Sequence, residues 1–131
     1  MLIADDSRSV LKALVRLLED KFEVVGAVLN GHLLVEAAKR LRPDVIVTDV
    51  SMPGLNGLEA LERLKGEASE VKVIMLTMHA DPALAAAAIR SGASGFIVKL
   101  SAADELEFAI TEVLQGRTYL SPAIATDGLL S

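Results

Sequence analysis

The chain predicts an α/β protein in which a doubly wound parallel sheet carries helices on both faces. Three observations point there. Strand-like apolar runs alternate with segments of helical period five times over along 131 residues. Two of the runs, 44–48 and 71–76, are almost continuously apolar, as strands covered on both faces are. Four of the runs end in a polar residue, and right-handed crossovers would gather those ends along one edge of the sheet.

The elements follow in order. Leu2, Ile3 and Ala4 make a short first strand. From Ser7 to Lys21, Val10, Leu11, Leu14, Leu17 and Leu18 recur at helical spacing. Residues 22–28 are β-branched and aromatic, which predicts a strand. A second helix covers 31–41 and stops before Pro43. The strand at 44–48 leads into a loop marked by Pro53-Gly54. A short helix covers 58–64 and ends near Gly66. The strand at 71–76 precedes a helix with Asp81 as N-cap and Pro82 at its first position; Ser91-Gly92 closes it. The last strand is predicted at 94–98 and the last helix at 103–114, before Gly116. From Arg117 onward there is no periodicity, so 117–131 is expected to be a tail or linker after a domain at 1–116.

Bulk properties narrow the function. The 52% hydrophobic and 24% charged residues are a globular composition. A net charge of −5 argues against a phosphate-backbone footprint, so no nucleic acid is expected on this segment. With no Cys, neither a disulfide nor a thiolate zinc site can form. The longest apolar stretch, 83–89, is too short for a membrane span, and acidic residues at positions 5 and 6 do not suit a secretory signal. A cytoplasmic location without membrane contact is expected.

The strand ends carry the chemistry. They present Asp5-Asp6, Asp49, Thr77 and Lys99, so carboxylates, a hydroxyl and an ammonium would converge in one cleft, which is what handling a phosphoryl group requires. Singly, each has an ordinary reading: Asp near a helix start, a loop cap, a strand threonine, a solvated lysine. Their joint occurrence on four strand ends is poorly explained by coincidence.

In that order, these residues and the string Ser51-Met52-Pro53-Gly54-Leu55-Asn56-Gly57 resemble the receiver domain of two-component response regulators. The resemblance covers about residues 1 to 116. Gly95 to Lys99 and Gln115 to Pro122 resemble the NarL/LuxR-type subgroup, whose receiver leads into a helix-turn-helix that these 131 residues do not contain. The resemblance implies a flavodoxin-like (βα)5 fold with five strands in the order 2-1-3-4-5. It implies that Asp49 accepts a phosphoryl group from a sensor histidine kinase. Asp5, Asp6, Asp49 and the Ser51 backbone carbonyl would hold Mg²⁺ or Mn²⁺, with Asp5 acting mainly through water. A hard cation would relieve the repulsion of clustered carboxylates. Lys99 and Thr77 would contact phosphoryl oxygens, and Thr77 with Phe96 would form the switch. A homodimer on phosphorylation, transcription regulation through the helix-turn-helix, and no enzymatic activity beyond the chain's own phosphorylation and dephosphorylation are further implications.

Five residues stand apart. His79, two after Thr77, lies at the cleft mouth, where the family varies and the side chain affects phosphate lifetime; the ordinary reading is an exposed loop histidine. Phe108 falls opposite the apolar stripe of the last helix and should be exposed. Leu100 departs from the family's proline or polar residue, which puts a cis peptide after Lys99 in doubt. Asn56 replaces the family's frequent Asp without expected harm. His32 is read as a surface residue.

Two other functions compete with the receiver, besides a stand-alone receiver that acts by docking. A haloacid-dehalogenase-type phosphohydrolase would need a second Asp two residues after Asp49, where Ser51 stands. A flavodoxin-like cofactor module would need a phosphate-binding loop after the first strand, where Asp5-Asp6 would repel the phosphate.

Overall fold

The computed structural model describes residues 1–67 and 70–124. Strands β1 (Leu2–Ala4), β2 (Gly26–Val28), β3 (Val45–Asp49), β4 (Lys72–Thr77), β5 (Gly95–Val98) and β6 (Tyr119–Leu120) form one sheet in the order β2-β1-β3-β4-β5-β6. Every pairing is parallel. Helices α1 (Arg8–Leu18), α2 (Gly31–Leu41), α3 (Gly57–Glu67), α4 (Pro82–Arg90) and α5 (Ala102–Leu114) connect the strands. The flavodoxin-like order expected for five strands is present, extended by the short β6.

Strand alternation sorts the core into two layers. Leu2, Ile46, Val73, Met75 and Phe96 pack with α2, α3 and α4. Ile3, Val45, Val47, Ile74, Leu76 and Ile97 pack with α1 and α5. Successive strand residues point to opposite faces, so both faces of the central strands are apolar. Each fully buried Leu or Ile, such as Leu61 or Ile74, contributes roughly 1.5–3 kcal/mol.

Local chemistry sets the boundaries. Ser7 Oγ caps α1 by accepting from Val10 N–H. Asn30 Oδ1 does the same for α2 through Leu33 N–H at 2.8 Å. Asp81 Oδ1 accepts from Ala83 and Leu84 with Pro82 in the first turn, as expected. Asn56 has a role that the sequence left blank. Its Oδ1 accepts from Glu59 N–H at 2.9 Å while Glu59 Oε1 accepts from Asn56 N–H at 3.2 Å, a reciprocal capping box for α3.

Three expectations need correction. The strand predicted at 22–28 is ordered as strand only at Gly26–Val28, because its one neighbour, β1, supplies three residues. The chain before it wraps the end of α1 instead, with Lys21 N–H and Phe22 N–H both donating to Leu18 C=O. Helix α1 therefore ends at Leu18 and not at Lys21. The segment from Arg117, expected to be a tail or linker, is attached to the sheet as far as it is described. Tyr119 and Leu120 pair with Gly95 and Phe96, and Ile124 is fully buried. Residues 125–131, the remainder of the expected linker, lie outside the described residues.

The loop after β3 is pressed against the strand end. A Cβ on Gly57 would lie 2.3 Å from Asp49 C=O and 2.9 Å from Val50 Cα. Backbone cannot yield that distance cheaply, so only glycine fits. Gly54, at φ +75°, makes the turn after Pro53. We expect Gly57→Ala to lower stability by about 1–3 kcal/mol, read as a lower urea midpoint. Gly66, in the same helix, has nothing within 4 Å, so Gly66→Ala should raise stability by about 0.5–1 kcal/mol. Equal shifts in the two variants would contradict this account.

Candidate functional site

The carboxyl ends of the central strands bring Asp5, Asp49 and Lys99 into contact. Asp5 follows β1 and is fully buried; Asp49 ends β3 and is 4% exposed. Each carboxylate is fixed in the same way. Oδ1 of Asp5 accepts from Ser7 N–H at 2.9 Å, and Oδ1 of Asp49 accepts from Ser51 N–H at 3.1 Å. These local turns, typical of Asp, leave both Oδ2 atoms for Lys99. Its Nζ lies 2.7 Å from Asp5 Oδ2 and donates to Asp49 Oδ2 at 3.1 Å. Apart from this ion pair, the buried Asp5 Oδ2 has no partner among the described residues.

One ammonium therefore serves two buried carboxylates, and the electrostatics show the imbalance. Burial by itself would lower the Lys99 pKa, but the contacts to Asp5 and Asp49 reverse this and hold it above its ordinary value. Asp49 moves above the usual carboxylate range. Burial is the main cause and Asp5 adds repulsion, while Ser51 N–H and Lys99 recover only part of the cost.

Asp6 completes the acidic set from the exposed side. Carboxylate oxygens of Asp5, Asp6 and Asp49 lie within 4.8 Å of one another. A cleft of about 700 Å³ opens beside them, lined among others by Asp6, Ser51, Asn56 and Leu84.

The other expected residues occupy the neighbouring strand ends. Thr77 ends β4, is buried, and accepts from His79 N–H through Oγ1 at 3.3 Å. Asp49 pairs in register with Leu76, one residue short of Thr77. Phe96 is fully buried on β5 opposite Met75, in the core layer of α2, α3 and α4. Alternation puts Thr77 in phase with Met75, hence on the Phe96 side of the sheet. His79 and His32 are exposed. Leu100 is 85% exposed, and its peptide with Lys99 is trans, since the described residues contain no cis bond. Phe108 is 60% exposed as expected, although the edge of its ring meets Tyr119 at a centroid distance of 5.9 Å.

Sequence reasoning missed Glu105, Tyr119 and Ser121. Tyr119 Oη donates to Glu105 Oε1 at 2.8 Å and Ser121 Oγ donates to the same atom at 3.0 Å. Burial, with help from Glu105, pushes the Tyr119 hydroxyl up to about 12. The available signal was the helical spacing of Glu105, Phe108 and Glu112, each of which meets the returning chain.

Comparison with known proteins places this geometry. The family model described as response regulator receiver domain matches residues 1–111. The chain belongs to the receiver family of two-component response regulators. It is 40% identical over 127 residues to the transcriptional regulatory protein DesR of Bacillus subtilis (strain 168), covering 95% of this chain and 63% of DesR. A LuxR-family response regulator from Aurantimonas sp. SI85-9A1 superimposes with a TM-score of 0.90 at 31% identity, over 95% of this chain and 91% of that one. The receiver (REC) domain of RcsB from Salmonella enterica serovar Typhimurium, solved with the phosphomimetic BeF₃⁻, matches with a TM-score of 0.86 at 27% identity, over 95% of this chain and 94% of that one. The chain spans about three fifths of the length of the curated relatives it matches. Among the described residues no helix is long and apolar enough to cross a membrane.

Removing the shared cation tests the electrostatic reading. Lys99→Met should lower stability at neutral pH by about 3 kcal/mol, because two buried carboxylates lose their counter-charge. Asp49 binds its proton more tightly folded than unfolded, so acidification favours the folded state across the window between its ordinary and raised pKa. Lys99 is among the groups that hold this pKa down, so without it Asp49 takes its proton at a higher pH than in the native chain, and the deficit of Lys99→Met should shrink as pH falls. Urea midpoints at neutral and mildly acid pH check this, and an unchanged deficit would contradict it.

Proposed function

We propose that this receiver takes a phosphoryl group onto Asp49 from the phosphohistidine of a sensor histidine kinase, with a divalent cation, Mg²⁺ or Mn²⁺, held by Asp5, Asp6 and Asp49. The observation that carries this is the arrangement of three carboxylates within 4.8 Å with one lysine between the buried two. The donor set fits a hard cation. It is all oxygen, and among the described residues the buried Asp5 Oδ2 is met by the Lys99 ammonium alone. The Ser51 carbonyl, in the turn that holds Asp49, is a further ligand in this reading. When bound, the cation neutralises the charge on the carboxylates and on the incoming phosphoryl group.

This chain's residues then have distinct tasks. Asp49 Oδ2 is the attacking oxygen, released as Lys99 Nζ shifts from the carboxylate to a phosphoryl oxygen. Thr77 Oγ1, now satisfied only by a long contact from His79 N–H, turns to a second phosphoryl oxygen. Phosphorylation adds charge and acceptors at one strand end. Thr77 and Phe96 lie on the same side of the sheet, so Thr77's movement is relayed to that core layer. The product persists or hydrolyses in the same cleft, and His79 at its mouth influences the lifetime. No other enzymatic activity is proposed. Ser51 stands where a phosphohydrolase of the haloacid-dehalogenase type places its second Asp.

The output is transcription regulation through a DNA-binding domain outside this segment, in the cytoplasm, supported by the match to DesR and to LuxR-family regulators. At net charge −5 the segment itself is read as making no phosphate-backbone contact. Phosphorylation strengthens a homodimer in which the exposed Phe108 of α5 takes part.

Intact-mass analysis with acetyl phosphate should show one added phosphoryl group, dependent on Mg²⁺ and lost in Asp49→Asn. Lys99→Ala should label slowly yet bind Mg²⁺ at least as tightly as the native chain, since the ammonium competes with the cation. The labelled chain should sediment as a dimer, and Phe108→Glu should weaken that association. Labelling of Asp49→Asn, or a Mg²⁺ affinity more than about tenfold lower in Lys99→Ala (about 1.4 kcal/mol), would overturn the assignment.

A further inference from the structure

Beyond β5 the chain returns and binds to it. Tyr119 N–H donates to Ser94 C=O at 2.9 Å, and Ser121 N–H donates to Phe96 C=O at 3.0 Å. The third bond is different in kind: Val98 N–H, next along the same edge, donates to the Ser121 hydroxyl at 3.0 Å. Val98 immediately precedes Lys99.

The Ser121 hydroxyl is held in one orientation. A carboxylate only accepts, so Ser121 Oγ must give its proton to Glu105 Oε1. Its lone pair is then turned to Val98 N–H. Tyr119 donates to the same Glu105 oxygen, which fixes that carboxylate between strand and helix. Ser121 is fully buried, so no solvent molecule substitutes readily for the hydroxyl. The segment is also clamped at both ends. Arg117 makes a two-pronged contact with Glu112, and Ile124 is buried in the core.

We propose that Ser121, oriented by Glu105, is a positioning residue for Lys99: it fixes the end of β5 so that the ammonium reaches Asp5 and Asp49. This rests on the phosphoacceptor reading above and extends it to a part of the chain outside the expected domain boundary at residue 116. By linkage, a change of Lys99 partners on phosphorylation is felt at the segment that leads out of the domain, and docking of that segment is felt at Lys99.

The test uses the whole 131-residue chain. Ser121→Ala should lower the initial rate of acetyl phosphate labelling at saturating Mg²⁺ about tenfold, the scale of a small misplacement of a reacting group. Its Mg²⁺ affinity should not fall, because Lys99 competes with the cation and does not hold it. A general loosening of the site would lower both. Glu105→Ala, at a partly exposed position on α5, should act in the same direction, and Glu105→Gln, which keeps an acceptor oxygen, should restore the rate. In the unlabelled chain, NMR signals of the Lys99 side chain should shift in Ser121→Ala. A native labelling rate together with unshifted Lys99 signals in Ser121→Ala would overturn the proposal. If the native chain took no label on Asp49, the phosphoacceptor reading would fall. The Lys99 signals would then decide the positioning role alone, a shift supporting it and none refuting it.

Discussion

The site turns on one ammonium group shared by two buried carboxylates. Asp5 and Asp49 come from adjacent strands, and each commits one oxygen to a local turn. Both remaining oxygens face Lys99, which reaches across from β5, beyond the intervening β4. Buried like charges repel, and a single cation between them relieves the repulsion only in part. The fold holds this arrangement because the strands are locked in register by two apolar layers. The carboxylates cannot separate without shifting strands. In the function proposed above, the unmet electrostatic demand is what would make the site receptive to a divalent cation, and through it to a phosphoryl group.

Much of the fold was legible because the signals were local and repeated. The near-continuous apolar runs of β3 and β4 mark strands buried on both faces, and helix starts at Ser7 and Asp81 carry their caps in the sequence. Strand ends that share one edge follow from parallel alternation, which is why Asp5, Asp49 and Lys99 could be associated without any structure. What stayed hidden was non-local. The length of β2 depends on how far β1 extends, not on the β-propensity of residues 22–25. Asn56 looked like a neutral replacement until Glu59, three residues on, was seen to close a capping box with it.

The C-terminal segment is the larger lesson. From Arg117 onward no period marks a helix, and among the described residues strand is confined to Tyr119 and Leu120 and helix to the single turn Pro122–Ile124, so the pattern suggests a linker. Besides the short pairing with β5 and the burial of Ile124, its attachment is made of single polar contacts, Arg117 with Glu112, Tyr119 and Ser121 with Glu105, and Ser121 with Val98. Such contacts leave no trace in hydrophobic pattern. They are directional, and with the β6 pairing the Ser121 hydroxyl covers the edge of β5 that would otherwise present unpaired backbone groups. A strand edge whose end carries Lys99 is a poor place for slack, and the returning chain removes it.

The most direct measurement is a structure of this chain with Mg²⁺ and BeF₃⁻, the phosphomimetic used with the related RcsB receiver. The account predicts beryllium bonded to an Asp49 carboxylate oxygen and a Mg²⁺ ligated by Asp6 and Asp49. It also predicts Lys99 Nζ moved onto one fluorine and Thr77 Oγ1 onto another. Beryllofluoride on Asp5 or Asp6, or Lys99 still seated between Asp5 and Asp49 with the phosphomimetic bound, would contradict it.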